Sequence, residues 1–332
     1  MSRKERHHYL SQFYLNGFGE NGFIYRYDRE QSEYKYLSTK DAGVIKNYYT
    51  VVKADGSKDR QSIEDYFQFI ETNTAPVLLK IDKQEKINEI EKVYLSIFVS
   101  YLMIRTPYFE NFFNEMQDQF GSGFIKSLTR KKPVFEKIVS DYINETGKPI
   151  DYDIDEMIKQ TERMKLFIPK EFRLQQMLDF GFQISILIFN MPMMIQTAVK
   201  DTSFITSDNP FIFWSEGLRE EYESVGLLTP DTPKVIPLTK KSCLILINIT
   251  DGETFFEYLP EKASKVSTRI INQTIAQYCE RFIFGQDHAL LKKIAESTNL
   301  SSYKIKSRVK VYTNYEKGIF KTVKKNEIEL EK

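Results

Sequence analysis

The chain has 332 residues and is 41% hydrophobic, enough to bury a large core, and its length alone suggests about two domains. Lysine and arginine number 47 against 46 aspartates and glutamates, a formal charge of +1 that gives no global attraction to nucleic acid or to an anionic membrane. The 2 cysteines, Cys243 and Cys279, form no Cys-x-x-Cys pair, which excludes a zinc ribbon or thioredoxin-like site and fits a reducing cytoplasm.

The start, Met1 to His8, is charged and lacks an apolar segment, so it does not read as a signal peptide. His7 and His8 follow, leading into the aromatic run Tyr9-Leu10-Ser11-Gln12-Phe13-Tyr14-Leu15. Phe23 to Tyr27 and Tyr34 to Leu37 flank a polar turn and predict a hairpin, with a third strand over Lys46–Val52. A helix is predicted from Ser62, its N-cap, with Ile63, Phe67, Ile70, Thr74, Leu78 and Ile81 on one face. A second helix from about Glu85 carries a stripe from Ile87 and Ile90 through Val93 and Phe98 to Tyr101, and ends at Arg105-Thr106-Pro107. Further helices are expected at 108–119, 133–146, 153–167 and 171–190. The uncharged stretch Phe180 to Val199 contains Pro192, so it reads as a buried helix followed by a buried strand and not as a membrane span.

Beyond it the pattern turns to short strands: Phe204 to Thr206, Phe211 to Trp214, Val235-Ile236, Cys243 to Ile247 and Phe255 to Tyr258. Helices are predicted over 262–280 and 286–298, with a strand Arg281 to Phe284 between them, a last strand Arg308 to Thr313, and a charged tail at 321–332 that frays. The order predicts an α+β fold: a mixed or antiparallel sheet built from N-terminal and C-terminal strands, with a helical block of about 62–190 inserted. Residues 1–320 form one domain in this reading, strand-rich at 1–58 and 193–313 and helical at 59–192.

Three constellations carry chemistry. Neighbouring side chains of an extended chain point to opposite sides, so one of His7 and His8 faces any given site, as general base or ligand, or else packs on Tyr9 or Phe13. Arg105 lies four residues after Tyr101 and shares its buried face, so its guanidinium should point inward and find either a substrate anion or a structural carboxylate or carbonyl. Thr206-Ser207-Asp208-Asn209-Pro210 sits between apolar strands; Asp208 there either binds a metal or orients a histidine, or bonds the backbone of a turn. Other motifs fail: Ser207-Asp208-Asn209 has no Lys-Thr-Gly after it, Asp28 and Glu33-Tyr34-Lys35 are too close for a restriction-type nuclease core, and no phosphate-binding glycine loop occurs. The basic runs Lys126 to Lys132 and Lys304 to Lys310 lack interleaved aromatics and read as solvated faces.

These boxes resemble a bacterial family catalogued as domain of unknown function 4238, over most of the chain. His8-Tyr9 with Phe13-Tyr14-Leu15 and Phe18 is similar to the family's opening His-Tyr-x-Pro-x-Phe-Tyr-Leu-x-x-Phe, with Ser11 at or beside the usual proline. Ile24 to Asp28, Arg105-Thr106-Pro107, Thr206 to Pro210 and Pro237-Leu238-Thr239 match further boxes, and Asn272 falls in a late helix of the pattern. The resemblance implies no reaction. It draws attention to His7, His8, Arg105 and Asp208 as catalytic candidates and to Tyr14, Asn209 and Asn272 as substrate-binding ones.

Two functions follow as expectations. One is a hydrolase, most simply a phosphodiesterase or nuclease acting on nucleic acid or a nucleotide, with a divalent metal, where needed, on His8 and Asp208 and with Arg105 clamping the phosphate; phage defence is the setting that the resemblance suggests. The other is a non-catalytic effector module that binds a ligand or a protein partner. Neither involves a membrane.

Overall fold

The computed structural model describes residues 5–129, 131–150, 153–161, 168–214, 226–230, 232–248, 259–300, 303–314 and 319–330. The chain opens with β1 (Arg6–His8) and the short helix α1 (Gln12–Asn16), whose first turn is capped by the Ser11 hydroxyl, accepting from the Tyr14 N–H at 3.1 Å. The predicted hairpin is β2 (Phe23–Asp28) and β3 (Glu33–Ser38), closed by a turn in which Asp28 accepts from the Glu30 and Gln31 N–H groups and Ser32 takes a φ of 51°. The strand expected over 46–52 is broken. β4 (Val44–Lys46) pairs antiparallel with β1, Asn47 turns the chain with a φ of 56°, and β5 (Val51–Val52) pairs with β6 (Lys58–Asp59).

The helical block starts with α2 (Ser62–Asp82), but Ser62 is its first residue and not its cap. Asp59 does the capping, its Oδ1 accepting from the N–H groups of Gln61 and Ser62 at 3.0 Å each. α3 (Glu89–Ile104) starts later than Glu85 because Asn88 and Glu91 form a reciprocal capping box. Its buried residues include Leu95, Phe98, Val99, Tyr101 and Leu102, while Ile90 and Val93 of the predicted stripe are exposed. Pro107 opens α4 (Pro107–Thr129), which runs well past the predicted 119. α5 (Lys132–Thr146) follows, then α6 (Ile154–Thr161) and α7 (Lys170–Phe189); residues 162–167 of the predicted 153–167 helix lie outside the described residues. α7 crosses α3 where Gly181 faces the Tyr101 ring, and the Tyr101 hydroxyl donates to the Leu178 carbonyl at 2.8 Å.

The C-terminal part supplies β7 (Met193–Ala198), β8 (Thr206–Ser207), β9 (Ile212–Phe213), β10 (Lys234–Pro237), β11 (Ser242–Leu246), β12 (Leu259–Ala263), α8 (Lys265–Gln277), β13 (Phe282–Gly285), α9 (His288–Ser297), β14 (Tyr303–Asn314) and β15 (Ile319–Leu330). Residues 259–263, the last two of which fall in the predicted 262–280 helix, form a strand parallel to β7, and Ser264 then caps α8. The tail expected to fray is β15, paired along its whole length with β14, an antiparallel partner that bonds the backbone groups facing it. The predicted strand Phe255 to Tyr258 lies outside the described residues.

The fold is α+β, with the predicted single sheet realised as two main ones. One is mixed, in the order β12-β7-β11-β10-β9. The other is antiparallel, in the order β3-β2-β13-β8, so the N-terminal hairpin completes a sheet with strands from beyond residue 200. A two-stranded hairpin cannot bury its aromatic side chains alone; here Tyr27 pairs with Ile283, and one buried cluster runs from Tyr9 to Leu300 through both sheets and α2, α3 and α7. Asp82, at the end of α2, ties the helices to the mixed sheet by accepting from the Thr239 and Ser242 hydroxyls at 2.6 Å each.

Candidate functional site

The two histidines take opposite sides of β1, as the strand requires. His7 is buried, its Nδ1 accepts from the Tyr49 N–H at 2.6 Å, and its ring lies parallel to Tyr49 with centroids 5.6 Å apart. It holds the turn after β4. His8 is half-buried on the other side, with Nε2 3.2 Å from the Lys40 carbonyl and its backbone N–H donating to Glu64 Oε1 at 3.0 Å.

Arg105 points inward, as its spacing from Tyr101 predicts. It caps the C-terminal end of α3 at 3% exposure. Its Nε donates to the Tyr9 carbonyl at 2.9 Å and its Nη1 to Glu71 Oε1 at 3.0 Å, and the guanidinium lies 4.9 Å over the Phe67 ring. The remaining nitrogen, Nη2, is buried and has no hydrogen-bond partner. His8 and Arg105 line a common cavity of about 630 Å³ between α1 and α2. Glu64, Gln68 and Glu71 of α2 line it too, with Gln12 and Asn16 of α1. Gln12, Asn16 and Gln68 are exposed, so the cavity opens to solvent.

Asp208 is not part of that cavity. It is 4% exposed, and its carboxylate is filled by the chain itself: Oδ1 accepts from the Glu280 N–H at 2.8 Å, and Oδ2 from the N–H groups of Arg281 and Phe282 at 2.7 and 2.9 Å. Burial pushes its carboxyl up to about 7, against the pull of those three donors. The turn chemistry of Asp-Asn-Pro is therefore used across the fold, on the strand that holds the N-terminal hairpin. Just before that strand Arg281 bonds Asp28 through Nε and Nη2; burial raises the Asp28 carboxyl, and that guanidinium more than reverses it, with the Gln31 and Glu30 N–H groups helping.

The three substrate-binding candidates also find partners within the protein. The Tyr14 hydroxyl donates to the Pro237 carbonyl at 2.7 Å and shares a hydrogen bond with the Thr206 hydroxyl at 2.7 Å, so three distant sequence boxes meet at one buried point. Asn272 bridges the approach to β8, its Oδ1 accepting from the Ile205 N–H at 3.0 Å and its Nδ2 donating to the Ser203 carbonyl at 2.9 Å. Asn209 lines a separate apolar cavity of about 190 Å³ with Phe211, Phe213 and Tyr278, and its amide donates to the Tyr278 carbonyl at 3.0 Å.

Of the four catalytic candidates, then, the fold brings His8 and Arg105 together, turns His7 into the core and seals Asp208 under the Glu280–Phe282 backbone. The sequence reading missed Glu64, Gln68 and Glu71. Their signal was the spacing of four and three residues, which puts them along one helical face beside the apolar stripe of Ile63, Phe67 and Ile70. Among the described residues, no three His, Cys, Asp or Glu side chains converge to hold a metal, which leaves the His8–Asp208 pair without the geometry of a metal site.

Two sheets joined through Tyr14, an antiparallel sheet locked by Asp208, a helical block pinned by Asp82, and a polar cavity at the N-terminal motif define an α+β protein built around its motif boxes. The chain belongs to the family of proteins of unknown function DUF4238, whose model matches residues 6–289. No curated protein and no solved structure matches it. Among the described residues no helix is long and apolar enough to cross a membrane.

Proposed function

We propose that the protein is a ligand-binding module whose site is the His8–Arg105 cavity, and that its ligand is a small neutral molecule rich in hydroxyl groups, such as a saccharide or a nucleoside. The observation that carries this is the unpartnered Arg105 Nη2 at a solvent-reaching cavity whose other polar groups include carboxylates and carboxamides. A buried N–H without an acceptor costs about 1–3 kcal/mol, and a ligand oxygen that displaces the thin wall over it would recover that cost. A hydroxyl suits the rest of the lining, because it donates to Glu64 or Glu71 while accepting from a guanidinium or an amide.

Charge favours this over a phosphodiester. Two carboxylates face one guanidinium that is already paired to Glu71, so the lining repels a polyanion. The hydrolytic alternative keeps His8 and Arg105 but has to work without Asp208, whose oxygens are occupied. Calorimetric titration with a panel of mono- and oligosaccharides and nucleosides tests the proposal, beside incubation with RNA, DNA and nucleotides with and without magnesium or manganese. Saturable binding that weakens at least about tenfold in Gln68→Ala supports the module. Cleavage of a phosphodiester that is lost in His8→Ala defeats it in favour of the hydrolase.

A further inference from the structure

Beside the end of β4 and the Asn47–Tyr48 turn lies a second cavity of about 280 Å³. It has two distinct ends. One is apolar and aromatic: Phe113 lies parallel to Phe109 with centroids 6.3 Å apart and edge-on to Phe180 at 5.5 Å, with Ile104, Leu174 and Met177 completing the wall. The other is cationic. Lys170 and Arg173, three residues apart on the first turn of α7, both face the cavity beside Lys46 and Glu110.

The ion pairs at that end are unevenly distributed. Lys46 is drawn off by Glu5, 3.0 Å away, and Glu110 pairs with Arg173 Nη1 at 2.8 Å. Lys170 is left with a neutral partner, donating to the Asn47 carbonyl at 2.6 Å, and has no ion pair among the described residues. Arg173 Nε is buried and has no hydrogen-bond partner. Partial burial lowers the Lys170 pKa, and the nearby carboxylates of Glu110 and Glu171 offset that only in part. A half-buried cation and an unused guanidinium N–H beside an aromatic slot call for one anionic group with a hydrocarbon body.

We infer that this cavity binds a small amphipathic monocarboxylate, a straight-chain or aryl carboxylic acid whose carboxylate bridges Lys170 Nζ and Arg173 Nε while its body lies between Phe109, Phe113 and Met177. A carboxylate fits better than a neutral polar head because an anion completes the partial balance that Glu110 and Glu171 give Lys170. A phosphomonoester carries a second charge that Glu110 would oppose. The volume, just below the roughly 300–1,000 Å³ typical of drug-sized pockets, sets the scale to a short chain or one ring. This site is independent of the His8–Arg105 cavity and stands or falls separately.

The test is calorimetric titration of the full chain with hexanoate, octanoate, decanoate and 3-phenylpropionate, each beside its primary amide. The expected result is saturable binding of at least one acid, with its amide about tenfold weaker or more. Lys170→Met should weaken the acid about tenfold and leave the amide unchanged, and Met177→Trp should abolish both by filling the slot. Melting curves by circular dichroism show whether each variant is folded; should Lys170→Met fail to fold, Met177→Trp and the acid-to-amide ratio still decide. No binding of any acid, equal affinity for acid and amide, or wild-type binding by a folded Met177→Trp overturns the inference.

Discussion

Replacing Asp208 by asparagine separates an architectural carboxylate from a catalytic one. The two side chains have nearly the same shape, so packing is conserved. In the wild type, Oδ2 takes two N–H bonds and Oδ1 takes the third, from Glu280 at 2.8 Å. Asparagine can place its one oxygen at the Oδ2 position and keep those two bonds, now without the charge. Its amide nitrogen then meets the Glu280 N–H, donor against donor. One charge-assisted bond is lost, at about 1.5–3 kcal/mol, and one buried N–H is left without an acceptor; allowing for relaxation, the net cost is about 2–4 kcal/mol. Asp208→Ala strips all three bonds and should cost more, about 4 kcal/mol or above. Urea unfolding followed by circular dichroism measures this as a lower midpoint at unchanged slope. His8→Ala is the control: loss of a half-buried ring whose Nε2 makes a long contact to a carbonyl should cost below about 1 kcal/mol. A Asp208→Asn protein within about 0.5 kcal/mol of the wild type would refute the reasoning, because the three N–H groups would then need no carboxylate.

Arg105→Met should destabilise by about 3 kcal/mol, since it leaves Glu71 and the Tyr9 carbonyl unpaired, and Arg105→Lys should recover less than half of that; urea midpoints of the pair decide. Tyr14→Phe and Thr206→Val should each cost about 1–2 kcal/mol and should couple by about 1 kcal/mol in a double-mutant cycle, because their hydroxyls share one bond; additive costs would deny the node. Gly181→Ala places a methyl group into the Tyr101 ring and should lower stability by about 1–3 kcal/mol, against the usual gain for that change in a helix. Lys234 is fully buried, with the Thr229 carbonyl as its hydrogen-bond partner at 3.1 Å, and burial lowers its pKa to about 8. The unfolded chain therefore holds this proton more tightly than the folded one. The penalty is complete below pH 8 and fades as pH rises from about 8 toward 10.5, so stability should rise across that window and Lys234→Met should flatten the rise; an unchanged profile in the variant would contradict it.

Local patterns in the sequence were enough for whatever depends on neighbours along the chain. The hairpin at 23–38, the helical block with its apolar stripes, the inward turn of Arg105 and the opposite senses of His7 and His8 all follow from periods of two and about 3.6 residues. Boundaries moved where a cap one turn away took over, as Asp59 did from Ser62 and Asn88 did from Glu85. The roles of the motif boxes, in contrast, were decided by tertiary structure alone. A polar residue between two apolar strands reads the same whether its oxygens face a substrate or a backbone seventy residues away. Only the pairing of β13 with β2 and β8 brought the Glu280–Phe282 N–H groups onto Asp208, and only the seating of α1 on β10 brought Tyr14 to Pro237. The same packing left Arg105 with one unused nitrogen beside Glu64, Gln68 and Glu71, because a guanidinium has five N–H donors in a fixed fork and the local chain supplied acceptors for only some of them.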